Sequence, residues 1–318
     1  MRPFSHDMTK DLLNGIAITG CLTAAASTMP ILGFFFLLFA PLPVFFYRAK
    51  LGRRLGAVIP AVVLCLTAVM TDFVSADLSF LLGFLMLGFA LGEWVERDFS
   101  IEKTVLYTCG TVFLILSSVL VLYSFFLYDH PVALISAYVK QNLEYTLSLY
   151  KSMGVPENGI RVIEDSMDKI QYILVRSIPA LILGSSLFVA WINLLAARPI
   201  FIGKGIAYPD FGSLNRWKSP ETLVWGVIVG GLLMLIPNLG AKTIGLNLLL
   251  VLLVIYFFQG IAIVAFFFEK KNLPRILRVF LYSLIGFQQV LVLFVVGMGF
   301  FDVWMDVRKL NGEKKQTL

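Results

Sequence analysis

Apolar residues run along this chain in blocks of about fifteen to thirty, separated by polar breaks. The blocks fall at 12–29, 31–47, 55–71, 78–94, 104–128, 178–197, 223–237, 243–268 and 276–305. Each is apolar on every face, with no alternation of period two. A strand of a membrane barrel needs that alternation, so the blocks predict helices. About twenty apolar residues are enough to cross a bilayer, and lipid forces the backbone to satisfy itself within each span. The pattern therefore predicts an all-α polytopic transmembrane helical bundle of about eight to ten spans.

Between 131 and 177 the pattern changes. Val132, Ile135, Val139, Leu143, Leu147 and Tyr150 recur at helical spacing among polar residues. Ile160, Ile163, Met167, Ile170 and Leu174 form a second such stripe after a Gly- and Pro-containing turn. These predict an extracytoplasmic amphipathic helical hairpin. The expected organisation is an N-terminal membrane bundle over 1–130, the hairpin over 131–177, a C-terminal bundle over 178–305 and a polar basic tail over 306–318.

Pro41 and Pro43 break the second block, and Gly286, Gln288 and Gln289 interrupt the last one near its midpoint. That last block reads either as two short arms returning the tail to its starting side or as one tilted span. Basic residues cluster at block ends, as at Arg48, Lys50, Arg53 and Arg54, or Lys270, Lys271, Arg275 and Arg278. This positive-inside pattern places both termini in the cytoplasm of a bacterial inner membrane, with the broken reading of the last block.

Composition agrees: 58% of residues are hydrophobic and only 14% charged, where a soluble domain carries roughly 25% charge. The net charge of +6 is scattered over block ends rather than gathered in a stripe, which excludes nucleic acid as a partner. Cys21, Cys65 and Cys109 lie in separate blocks with no CxxC spacing, so neither metal nor cofactor is expected. His6 and His130, the two histidines, lie outside the blocks, and no hydrolytic or nucleotide-binding motif appears. The chain reads as a non-enzyme.

Chemistry must then come from polar side chains inside spans. Trp191 with Asn193, Asn247, Tyr256 with Gln259, and Gln288 with Gln289 are the candidates for holding a small polar solute. Amides supply paired donors and acceptors, and Trp and Tyr supply stacking faces. Interhelical hydrogen bonding is the competing role for each. On the first block Ala17, Cys21 and Ala25 are four apart, as are Gly20 and Ala24, forming small-residue stripes on which another helix could dock. Arg216 and Trp217, in the longest basic loop between blocks, are candidates for holding a partner at the membrane surface. Asp302 and Asp306 are expected as interfacial partners of Arg308 and Lys309.

Several segments together resemble the YybS-like bacterial membrane family, domain of unknown function 2232. They are the small-residue first block, Ala40 to Pro43 with its basic turn, Asn193 to Arg198, Trp217 to Glu221 with Trp225, and Gly299 to Arg308. That resemblance spans nearly the whole chain and implies a membrane protein without implying an activity. The N-terminal part also resembles the substrate-capture S components of energy-coupling-factor transporters. This second resemblance implies solute binding and docking of a transmembrane coupling subunit with ATPases, through Ala17, Gly20, Cys21, Ala24 and Ala25. The chain is longer than such components. Its expected function is solute capture without an ATPase of its own, or alternatively a membrane scaffold; a lipid-handling role is a third reading.

Overall fold

Long apolar blocks can satisfy their backbones only as helices, and helices are what form. The computed structural model describes residues 6–29, 32–70 and 76–309, and no strand occurs among them. The helices are α1 (His6–Thr28), α2 (Gly33–Phe39), α3 (Pro41–Met70), α4 (Ala76–Val95), α5 (Ile101–Leu127), α6 (Pro131–Ser152), α7 (Glu157–Gly203), α8 (Leu223–Leu235), α9 (Leu239–Lys270), α10 (Arg275–Phe287) and α11 (Gln289–Met305). The chain divides into two compact units, 1–209 and 210–318.

In the first unit, Pro41 and Pro43 supply no N–H, so α2 ends at Phe39 and α3 starts afresh. Within α3 the backbone reverses. Gly52 sits at φ 80°, in a region that favours glycine. A Cβ on Gly56 would lie 2.7 Å from the Arg48 Cα. Eight residues of straight helix would separate those positions by about 12 Å, so the two arms of α3 fold against each other. The core lies between the arms and α4: Val44 and Tyr47 from one arm, Ile59 and Val63 from the other, Leu81 and Leu85 from α4. Leu12 and Ile16 of α1 pack on that cluster. Gly15 lets α1 close in, since a Cβ there would meet Ile59 at 2.6 Å.

Beneath the reversal Arg48 is buried. Its Nη2 donates to Glu93 at 2.7 Å and to Glu96 at 2.6 Å. α6 and α7 pack as an antiparallel pair, with Lys151 to Glu164 at 2.7 Å near the turn and Gln171 Nε2 to Ser136 Oγ at 2.9 Å further along. α7 then continues without a break for 47 residues, straight through the 177/178 boundary drawn from sequence.

In the second unit α9 is the axis. α8 covers its first half, with Gly226 and Gly230 facing Leu252, Leu249 and Gly245. The other half of α9 is covered by α11 and by the segment around the 3-10 turn Leu214–Arg216. The last apolar block is broken at Gln288, where the chain bends by 102° between α10 and α11.

Among the described residues, five helical segments are long and apolar enough to cross a membrane, or six if the bent pair counts as one span. That is below the expected eight to ten, for physical reasons. α1 carries Thr9, Lys10, Asp11 and Asn14 in its first turns, and α8 has only 13 residues. The segment Gly33–Met70 counts as one although its arms reverse.

Candidate functional site: polar groups within the helical units

The polar residues expected inside spans fall into separate places. In the first unit Asn193 is fully buried on α7. Its Nδ2 donates to the Leu38 carbonyl at 2.9 Å and to the Val189 carbonyl at 2.8 Å. Leu38 O is one of the carbonyls stranded where α2 stops, so the amide closes the break that Pro41 and Pro43 create. Asn193 Oδ1 is buried with no hydrogen-bond partner. Trp191 is buried two residues away.

In the second unit the dominant feature is an ion pair sealed from solvent. Asp302 near the end of α11 and Arg308 beyond it meet at 2.8 Å, their side chains 1% and 0% exposed. The helix is closed by Asp306, at φ 38°, which turns the chain back so that Arg308 reaches under Asp302. Arg308 Nη1 donates to the carbonyls of Asn215 at 2.9 Å and Trp217 at 3.0 Å. Asp302 Oδ1 accepts from Val307 N at 3.0 Å, and Oδ2 accepts from Gln259 Nε2 at 3.2 Å. Gln259 Oε1 in turn accepts from the hydroxyl and the backbone N–H of Ser219. Further along, Asn215 Nδ2 donates to Glu269 near the C-terminal end of α9. The 215–219 segment is thus pinned along α9 from Glu269 to Gln259, ten helical residues or about 15 Å.

This packing needs two glycines. A Cβ on Gly260 would sit 2.0 Å from Val295 O, and one on Gly299 would sit 2.1 Å from Tyr256 O. Without side chains there, α9 and α11 approach backbone to backbone, and Asp302 reaches Gln259. Tyr256 is buried with its ring edge-on to Phe300 at 5.2 Å, and its hydroxyl has no hydrogen-bond partner.

The structure therefore joins Gln259 and the backbone of Trp217 to Asp302, Arg308 and Ser219. Asp302 pairs with Arg308 as expected, and the pair is sealed within the second unit. The reason is the close approach of α9 and α11, a contact between distant parts of the chain. The available signal was a carboxylate set within an apolar run, a costly placement that calls for a partner. Asn247 is partly buried and donates to the Thr243 carbonyl on its own helix at 2.8 Å. Gln288 and Gln289 are exposed at the α10–α11 bend. Arg216 is exposed and the Trp217 side chain half-buried. Among the described residues no three metal-ligating side chains cluster.

On α1 the faces separate cleanly. Gly15, Thr19 and Thr23, spaced by four, are buried. Ala17, Cys21 and Ala24 are exposed, and Gly20 and Ala25 are partly so. A Cβ on Gly20 would meet open space. In the loop after α7, burial raises the Tyr208 phenol above its ordinary range, with a smaller opposing pull from Arg198. Its hydroxyl donates to the Leu194 carbonyl at 2.8 Å.

A family described as "Predicted membrane protein (DUF2232)" matches residues 17–303. The protein named "Uncharacterized protein YybS" of Bacillus subtilis (strain 168) is similar at 22% identity over 311 residues, covering 92% of this chain and 97% of that protein. No solved structure matches.

Proposed function

The chain belongs to the DUF2232 family of predicted membrane proteins, and from that premise we propose that it is a non-enzymatic docking component of a larger assembly in the bacterial cytoplasmic membrane. It lies there as a multi-pass protein with both termini cytoplasmic. One observation carries this reading: the outward face of α1. Thr19 and Thr23 serve the chain's own packing, whereas Ala17, Cys21 and Ala24 are left uncovered beside the open surface of Gly20. Small residues in that pattern let a second helix approach closely, and in lipid such packing is a main source of helix association. The partner that fits is a transmembrane helix.

The amides favour docking over solute capture. Asn193, Asn247 and Gln259 all spend donors within the chain. Solute capture keeps two separate supporting observations, the buried and unpartnered Asn193 Oδ1 in the first unit and Tyr256 hydroxyl in the second.

Ala24→Leu tests the docking face. The side chain is exposed, so the bundle should fold unchanged while co-purification of the partner from mild detergent falls at least several-fold. A coupling subunit with ATPases among the lost proteins would identify the solute-capture form, and any other membrane protein the scaffold form. Unchanged recovery of every co-purifying protein would refute docking through α1.

A further inference from the structure

α8 runs antiparallel to α9 in a register fixed by contacts. Gly226 faces Leu252, and Gly230 faces Leu249 and Gly245. Before α8, Ser219 is bonded to Gln259 and Asn215 to Glu269. Glu221 and Thr222 therefore fall between the levels of Gln259 and Leu252. No charged residue lies on α9 between Lys242 and Glu269, a stretch of about 40 Å. Gln259 is about 15 Å from Glu269, and Leu252 is about 15 Å from Lys242. α9 is long and apolar enough to cross a membrane, whose hydrocarbon core is about 30 Å thick. Wherever that core sits between the two charges, Glu221 lies inside it.

The stretch from Ser213 to Thr222 is thus irregular backbone that descends into the membrane. α8, with 13 residues, is about 20 Å long and crosses only the remaining part. An ion pair comes down with the segment: Lys218 Nζ lies 3.7 Å from Glu221, the side chains 18% and 72% exposed. Irregular backbone at such depth is tolerated where protein buries it or where it lines a water-filled cavity, and charged groups there follow the same rule.

Two acids of the second unit show the two solutions. Asp302 is sealed against Arg308 at 2.8 Å and is held further by Gln259 and Val307. Glu221 is turned outward, and its partner amine is beyond hydrogen-bond reach. Ser213, Arg216, Pro220 and Thr222 are exposed along the same descent. A polar line that begins at the Glu269 end and continues to an open carboxylate is one that water can follow from the surface. We propose that residues 213–222 wall a water-filled crevice, which brings small ions from the Lys270 side of the membrane to the Lys218–Glu221 pair. The crevice is a feature of the second unit and does not depend on a helix docked on α1.

The test is the reach of a charged, membrane-impermeant thiol reagent in sealed vesicles. Pro220→Cys and Thr222→Cys are introduced singly into a chain whose Cys21, Cys65 and Cys109 are replaced by Ala. Lys271→Cys marks the membrane surface. Leu253→Cys, exposed on α9 at similar depth, marks the apolar surface. Reagent on the side that labels Lys271→Cys should label 220 and 222, and reagent on the opposite side should label neither. Leu253→Cys should stay unlabelled from both sides. Protection of 220 and 222 from both sides would mean that protein or lipid covers the segment, and would overturn the proposal. Labelling only from the opposite side, or equal labelling at 253, would overturn it as well.

Discussion

Removing one member of the Asp302–Arg308 pair should be far worse than removing both. In Arg308→Met the Asp302 carboxylate stays in place, fully buried, with only Gln259 Nε2 and Val307 N to hold it. Stranding one charge of a buried pair costs about 3–5 kcal/mol, whereas replacing both by apolar groups of similar volume is often neutral. Arg308→Met and Asp302→Leu are each expected to fall in the single-charge range. The double substitution should recover most of the loss, giving a coupling energy of about 2 kcal/mol or more. Unfolding in mixed detergent micelles of increasing denaturing fraction measures the free energies. A second readout follows the segment that Arg308 holds: trypsin should cut after Arg216 and Lys218 faster in Arg308→Met, because the carbonyls of Asn215 and Trp217 lose their anchor. Single substitutions within about 1 kcal/mol of the parent, or a double equal to the sum of the singles, would refute the reasoning.

The backbone contact between α9 and α11 gives a second prediction. Gly299→Val places a methyl-bearing Cβ against Tyr256 O and should destabilise the second unit by about 1–3 kcal/mol or more, seen as a lower melting point in detergent. Asn193→Leu leaves the Leu38 carbonyl without its donor and should cost about 1–3 kcal/mol, measured the same way in the full chain. Tyr208 gives a pH prediction. Its folded phenol ionises above the unfolded value of about 10, so its contribution is complete below that pH and is lost as pH rises beyond it. Tyr208→Phe should remove a late-ionising phenol from the ultraviolet titration; an unchanged late phase would contradict this.

Local breaks were the readable part of this fold. Pro41 and Pro43 end a helix because they lack an N–H, wherever they stand. Gln288 breaks the last block for reasons visible in Gly286 and the paired amides beside it. Two small-residue stripes on α1 were also visible, but the line the chain itself uses is a third: Gly15, Thr19 and Thr23 face inward because α3 folds back to meet them. The buried ion pair was out of reach for a related reason. Asp302 and Arg308 are near one another in sequence and look interfacial. Their burial depends on Gly260 and Gly299 letting two helices touch, and on Ser219, forty residues before Gln259, folding down along α9. Asn193 illustrates the same limit, since its partner Leu38 lies 155 residues away.

The central claim is that the outward face of α1 holds a partner helix. A photoreactive amino acid placed singly at Ala17, Cys21 and Ala24, with Leu66 and Leu114 as exposed controls on other helices, tests it most directly. Illumination of intact cells followed by mass spectrometry should show one common membrane protein captured at all three α1 positions and not at the controls. Capture of lipid alone on α1, or the same protein at every position including the controls, would contradict the account.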